Sequence, residues 1–170
     1  MMLHYQYKKC EILFVGINPH HGSFDRGIPF SNNKLFWYLL LRAGLLKENI
    51  EDLKDDSRLR QIYKNRFNTV YKLGLINIID RPTRDITLLK KGEERRGKVK
   101  IEKIIKTQKP KIVCFIGKIS YEKYTGSKKF TFGWQNEIYR SKVFVMHFPL
   151  RGKAEVRIHE LKKVARASRS

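Results

Sequence analysis

Four short, almost wholly apolar runs interrupt an otherwise polar, lysine-rich chain: EILFVGI (11–17), LGLINII (73–79), KIVCFIG (111–117) and KVFVMHF (142–148). Their apolar character is continuous rather than alternating, which predicts strands of a parallel sheet covered on both faces. Between and after them the apolar positions recur at helical spacing. KLFWYLLLRAG (34–44) is apolar almost all the way round, so a deeply buried helix is expected, capped by Asn32 or Asn33 and ended by Gly44. RLRQIYKNRF follows Ser57 and puts Leu59, Ile62 and Tyr63 on one face. KVKIEKIIK follows Gly97, turns Ile101, Ile104 and Ile105 inward, and stops at Lys109-Pro110. A last amphipathic helix is predicted over 155–165, followed by a short basic tail at 166–170. The order of elements predicts an α/β fold, a three-layer α/β/α sandwich around a central, mainly parallel four-stranded sheet. No repeat or linker divides the chain, so residues 1–170 are expected to form one domain.

Charge changes this picture by pointing to a partner. Lys and Arg number 37 against 16 Asp and Glu, a net charge of +21. Such an excess repels itself unless the working partner is a polyanion, and nucleic acid fits because each phosphate contact releases counterions. A thermophile's surface would balance its lysines with glutamates, which this chain does not do. With 170 residues and 41% hydrophobic content, the chain has material for a core of its own. No apolar run approaches the roughly 20 residues that cross a bilayer. The start, MMLHYQYKKCEILF, lacks the apolar core and cleavage site of a signal peptide, so a soluble, cytoplasmic protein without a membrane partner is expected. Cys10 and Cys114 belong to no CxxC pair, which leaves a disulfide framework, zinc ribbon or iron–sulfur cluster without ligands.

Ligands of open parallel sheets bind beyond the carboxyl ends of the strands. There the chain carries Asn18-Pro19-His20-His21, Asp80-Arg81-Pro82-Thr83, Gly117-Lys118, and His147-Phe148-Pro149-Leu150-Arg151-Gly152-Lys153. One edge of the sheet thus collects an asparagine, several histidines and a set of cations, a site walled for an anionic polymer. Within FVGINPHHGSFDRGIPFSNN (14–33), Asn18-Pro19 also reads as a simple turn and His20-His21 as a metal site, although no CxxC or HExxH spacing supports the latter. Phe30, in a loop rich in Gly and Pro, reads as a pocket wall. No GxxxxGK[ST] or GxGxxG supplies a phosphate loop. An α/β hydrolase or metal nuclease lacks its parts: there is no GxSxG, and Asp25 and Asp80 are the only acids near the strand ends.

At these residues the chain resembles the mismatch-specific uracil-DNA and thymine-DNA glycosylases, a branch of the uracil-DNA glycosylase superfamily. GINP (16–19) comes first, with Phe30 twelve residues after Asn18. NKLFW (33–37), IIDRPT (78–83), KIEKI (100–104), IGK (116–118) and the loop after the fourth strand follow in the same order. The resemblance implies that Asn18 holds the water attacking the sugar C1′ and that Phe30 stacks on a base flipped out of the duplex. Gly16, Ile17, Pro19 and His20 would bind the base's edge. Lys118, Arg81 and Lys153 would touch DNA, and Leu150 or Arg151 would wedge into the vacated space. The chain departs from the branch at His20, where a glycine is usual, and at HFPLRGK (147–153). His147 falls where other branches use a histidine to stabilise the departing base, which makes it the second expected catalytic residue. The implied enzyme is a monomeric, monofunctional glycosylase acting on damaged or mismatched bases, uracil above all, in double-stranded DNA without metal or cofactor. A glycosylase for hypoxanthine or xanthine, and a DNA-binding module without catalysis, are the alternatives.

Overall fold

The first apolar run becomes β1 (Ile12–Gly16), which lies inside the sheet. The computed structural model describes residues 3–170, and in it β1 pairs in parallel with β2 (Leu73–Asn77) on one side and β3 (Ile112–Ile116) on the other. A hairpin of β4 (Gly133–Ile138) and β5 (Ser141–Met146) completes the sheet, with β5 parallel to β3 and β4 antiparallel at the edge. The strand order is β2-β1-β3-β5-β4. The sheet therefore has five strands, not the four that continuous apolar runs predict. β4 escapes that pattern because it is half wet: Trp134 packs edge-on against Phe144 at 5.0 Å while most of its neighbours face solvent. Its turn carries no Asn-Gly signal either, since Tyr139 and Arg140 adopt the positive φ values of 47° and 73°.

Side chains alternate across the sheet and feed two cores. Ile12 and Phe14, with Ile112, Cys114, Phe144 and Met146, face α2 (Leu35–Arg42), α3 (Ile50–Lys54), α4 (Asp56–Ile62) and α7 (Ala154–Ser168). Leu13 and Val15, with Val113, Phe115, Val143 and Val145, face α5 (Arg95–Gln108) and α6 (Lys118–Thr125). Each of the four parallel strands thus contributes to both cores, which is why its sequence is apolar without a break. A short helix, α1 (His21–Arg26), leads from β1 into the loop before α2.

Several boundaries differ from expectation for local reasons. The N-cap of α2 is Lys34, not Asn32 or Asn33, although Asn33 Oδ1 accepts from Leu35 N at 3.0 Å one residue earlier, and Gly44 ends that region with φ +80°. Asp55, not Ser57, caps α4, accepting from Arg58 N at 3.0 Å. The helix then continues into a π-helical turn, Tyr63–Phe67. The basic tail is largely helix, because α7 runs to Ser168, whose carbonyl accepts from Lys111 Nζ at 3.1 Å. Gly97 lies inside α5 rather than before it. A Cβ there would sit 1.6 Å from the carbonyl oxygen of Ile78, so the glycine lets α5 press directly on the chain leaving β2.

That contact decides the sign of a substitution. In a free helix Gly→Ala stabilises by about 1 kcal/mol. At Gly97 the backbone collision dominates, and Gly97→Ala is expected to destabilise by about 1–3 kcal/mol, measured as a lower urea midpoint. An unchanged or raised midpoint would show that α5 does not bear on Ile78.

Candidate active site

Hydrogen bonding between β1 and β2 does not stop where the strands stop. Ile78 N donates to Gly16 O at 3.0 Å, Ile79 N to Ile17 O at 2.9 Å, and Thr83 N to Pro19 O at 3.1 Å. Asn18 lies inside this zipper. Its Nδ2 donates to Arg81 O at 3.0 Å and to Thr83 Oγ1 at 2.8 Å, and Thr83 Oγ1 donates onward to Asp85 O at 2.9 Å. A carbonyl oxygen only accepts, so Arg81 O dictates which end of the Asn18 amide is the nitrogen. Among the described residues Oδ1 has no hydrogen-bond partner, and the bonds of Nδ2 fix its direction.

Phe30 is held just as closely. Ser23 of α1 is buried, and its Oγ accepts from Ser31 N at 3.0 Å and Asn32 N at 2.9 Å. Trp37 Nε1 donates to Pro29 O at 2.8 Å. Between these anchors Phe30 takes a φ of +55°, a conformation costing a non-glycine residue on the order of 1–3 kcal/mol and stored most often at functional sites. Its ring leans on Phe36, with centroids 4.8 Å apart. Gly16 makes the approach feasible, since a Cβ there would lie 3.0 Å from Phe30 Cζ and 2.3 Å from Asn77 Oδ1. His20 caps α1, its Nδ1 accepting from Gly22 N at 3.0 Å, which leaves the ring proton on Nε2. His21 is exposed beside it. Among the described residues no three His, Cys, Asp or Glu side chains converge as a metal centre requires.

These residues line a cleft of about 200 Å³ at the carboxyl ends of the strands. Gly16, Ile17, Asn18, Pro19, His20, Phe30 and Leu150 all contribute to it, so it gathers the predicted base-binding set and one candidate wedge. The lining also includes Thr83 and Phe148, which belong to the strand-end segments already singled out, and Asn77, which was not anticipated. Asn77 is only 4% exposed, its Nδ2 donates to the Tyr5 hydroxyl at 2.9 Å, and its Oδ1 is buried with no hydrogen-bond partner among the described residues. The sequence held one signal for it: Asn77 is the single polar side chain in the run LGLINII. Phe148 depends on Gly117, whose φ is +87° and where a Cβ would come within 3.2 Å of the phenyl ring.

Two expected site residues are engaged elsewhere. His147 does not line the cleft. Its ring stacks on Phe132 at 3.7 Å and 17°, its Nδ1 pairs with Glu160 Oε2 at 2.9 Å, and its backbone N donates to Glu160 Oε1 at 3.0 Å. Arg157, one turn earlier on α7, donates to Phe148 O at 3.1 Å and Lys153 O at 3.2 Å. Two buried charges therefore hold the loop 147–153 from beneath, and main-chain bonds compensate their burial. Arg81 is turned to Glu93, with Nε and Nη2 at 2.6 and 2.9 Å from its carboxylate oxygens, and Nη2 also donates to Leu88 O at 2.9 Å. The Arg81 hydrogen bonds hold the Glu93 carboxyl down at about 2. Arg81 thus ties the loop 81–93 together while its backbone carbonyl orients Asn18. Lys118, Arg151 and Lys153 are exposed at the same edge of the sheet, as is Asp25. Hydrogen bonds from Thr87 hold the Asp85 carboxyl below its ordinary range, and the charge of Arg151 contributes.

The arrangement combines an oriented asparagine amide, an aromatic wall, a buried asparagine and a cationic surround. Residues 4–158 match the model of the Uracil DNA glycosylase superfamily, from the segment before β1 into α7, and the chain belongs to that superfamily.

Proposed function

We propose that this protein is a monofunctional DNA glycosylase that flips a damaged or mismatched base out of double-stranded DNA, hydrolyses its N-glycosidic bond and leaves an abasic site. One observation carries the reading: a cleft at the strand ends lined by Asn18, whose amide the Arg81 carbonyl orients, together with Asn77 and Phe30. Asn18 Oδ1 accepts a hydrogen bond from the water that adds to the sugar C1′, and the proton lost on addition passes to the departing base anion or to solvent. Asparagine is too weak a base to take that proton early, which suits a reaction whose C–N bond breaks largely before attack. Fixed dipoles then stabilise the charge that develops on the leaving base. Phe30 stacks on the flipped base, and Asn77 Oδ1 accepts from a ring N–H. Uracil, thymine opposite guanine, hypoxanthine and xanthine all present such an N–H, whereas cytosine presents a bare acceptor. Uracil is the substrate favoured here, by the resemblance to the mismatch-specific branch.

The loop 147–153 probes the duplex. Leu150 is 47% exposed and lines the cleft, which supports it as the wedge, with the exposed Arg151 next to it in the chain. Its stack on Phe132 and its bonds to Glu160 favour a role for His147 in holding this loop rather than in touching the base. Lys118, Arg151 and Lys153 supply phosphate contacts, and the net charge of +21 supplies long-range attraction to the duplex. The protein acts as a monomer in the cytoplasm, needing no cofactor.

The direct test is a panel of duplex oligonucleotides with uracil, thymine opposite guanine, hypoxanthine or xanthine, followed by alkaline cleavage of abasic sites. Strand breaks at uracil are expected; a panel without breaks would leave only DNA binding. Asn18→Ala should slow single-turnover excision roughly 100-fold or more, since a misplaced reactant costs about that much. Its affinity for uncleavable duplex should change less than about twofold, and an undiminished rate would remove Asn18 from the chemistry. Leu150→Ala should slow excision from duplex more than from single strands, where no stacked neighbour must be displaced. Equal losses on both would assign the wedge elsewhere.

A further inference from the structure

The loop 81–93 borders the cleft, yet only its first residues have a task in the chemistry above. Its sequence, RPTRDITLLKKGE, interleaves cations with large aliphatic residues. The loop is densely bonded. Arg81 binds Glu93 through two hydrogen bonds and reaches Leu88 O at 2.9 Å, so one guanidinium ties both ends of the loop to its middle. Asp85 Oδ1 accepts from Thr87 N at 2.8 Å and caps a single 3-10 turn, Ile86–Leu88. Leu88 N donates to Asp85 O at 3.1 Å, and Leu89 N to Ile86 O at 3.1 Å. Glu93 Oε1 also accepts from Lys90 N at 2.8 Å, while Leu89 packs on the core beneath α5.

A loop fixed in this way keeps two aliphatic side chains in water: Ile86 is 45% exposed and Leu88 55%. A lone exposed aliphatic residue needs no explanation. Ile86, however, also lines the cleft, as does Leu150 of the loop 147–153. Cations surround it, since Arg84, Lys90 and Lys91 of the same loop and Arg95 and Arg96 at the start of α5 are exposed. Asp85, the carboxylate of the cleft lining, is committed to Thr87 N. An aliphatic side chain held out among cations suits a partner that is anionic outside and apolar within. Duplex DNA has that make-up, with phosphates flanking stacked bases, and aliphatic side chains pushed between base steps are a common way to kink it.

From this placement we infer that Ile86 is a second wedge, set on a different loop from Leu150. Leu150 fills the space that the flipped base leaves, and Ile86 presses into the adjoining base step. Arg84, Lys90 and Lys91 take the phosphates around it. The Arg81–Glu93 pair then serves the DNA indirectly, by holding the turn of Ile86 in place before the duplex arrives. A contact ordered beforehand costs little entropy on binding. The inference rests on the glycosylase reading. It adds a DNA-contacting element outside both the motif around Asn18 and the loop 147–153.

The test compares the full-length protein with Ile86→Ala, Leu150→Ala and the double variant. Single-turnover excision of uracil is measured in duplex and in the same strand alone, together with affinity for duplex carrying a stable abasic analogue. Ile86→Ala should weaken that affinity, and slow excision from duplex, about tenfold, through the apolar contact it loses. Excision from the single strand should fall only about twofold, because no stacked neighbour must be displaced there. In the Leu150→Ala background the same substitution should cost as much again, since the two side chains meet different steps. Equal losses on both substrates would make Ile86 a wall of the base pocket. No further loss in the Leu150→Ala background would make it a prop for Leu150, and a lower urea midpoint would assign it to the protein's own packing. Each of these three outcomes, or an unchanged affinity for the abasic duplex, overturns the inference and leaves the glycosylase reading intact. A wild-type protein that excises uracil from neither substrate overturns that reading itself.

Discussion

The ladder between β1 and β2 continues past the last residue of each strand, and the site depends on that continuation. Three main-chain bonds, from Ile78, Ile79 and Thr83 to Gly16, Ile17 and Pro19, fuse the loop after β1 to the loop after β2. Each contributes only about 1 kcal/mol net. Together they remove the freedom of the segment that carries Asn18 and so fix the position of its amide. The same ladder delivers the Arg81 carbonyl that orients the Asn18 amide and the Thr83 hydroxyl that completes it. α5 closes the arrangement from behind, with Gly97 against the Ile78 carbonyl, so a glycine in a helix bears on the geometry of an asparagine in a loop.

Charge is used in two ways. Most of the 37 Lys and Arg stay in solvent, where they sum to a field that attracts a polyanion over a distance set by salt. A few are withdrawn and given fixed tasks. Arg157 and Glu160 are each 7% exposed and spend their hydrogen bonds on the main chain of the loop 147–153, and Arg81 spends its own on the loop 81–93. Both loops border the cleft. Buried charge here orders the loops around the site, while surface charge brings the partner to them.

Much of this was legible from residue order alone. The four continuous apolar runs became the four parallel strands, because residues buried on both faces have no polar positions to alternate with. Asn18, Phe30 and their neighbours were found as strand-end residues, because a parallel sheet brings the carboxyl ends of its strands to one side. β4 was not legible, since a half-wet edge strand with an unmarked turn resembles a loop. The start of α5 was misjudged because Gly97 reads as a helix boundary until the Ile78 carbonyl is brought beside it.

What the order of residues determined by itself was the layering, the strand-end location of the chemistry and the attraction to a polyanion, all of which follow from local pattern and summed charge. Tertiary structure decided which of the strand-end residues meet. His147 and Arg81 stand among the candidates in sequence, but Glu160 and Glu93, distant along the chain, draw their side chains into other bonds. Asn77, the polar end of a buried strand, joins the lining of the cleft only in the fold, where the Tyr5 hydroxyl, some seventy residues earlier, accepts from its amide. A side chain's type sets what it can bond, and only the folded chain sets which partner arrives.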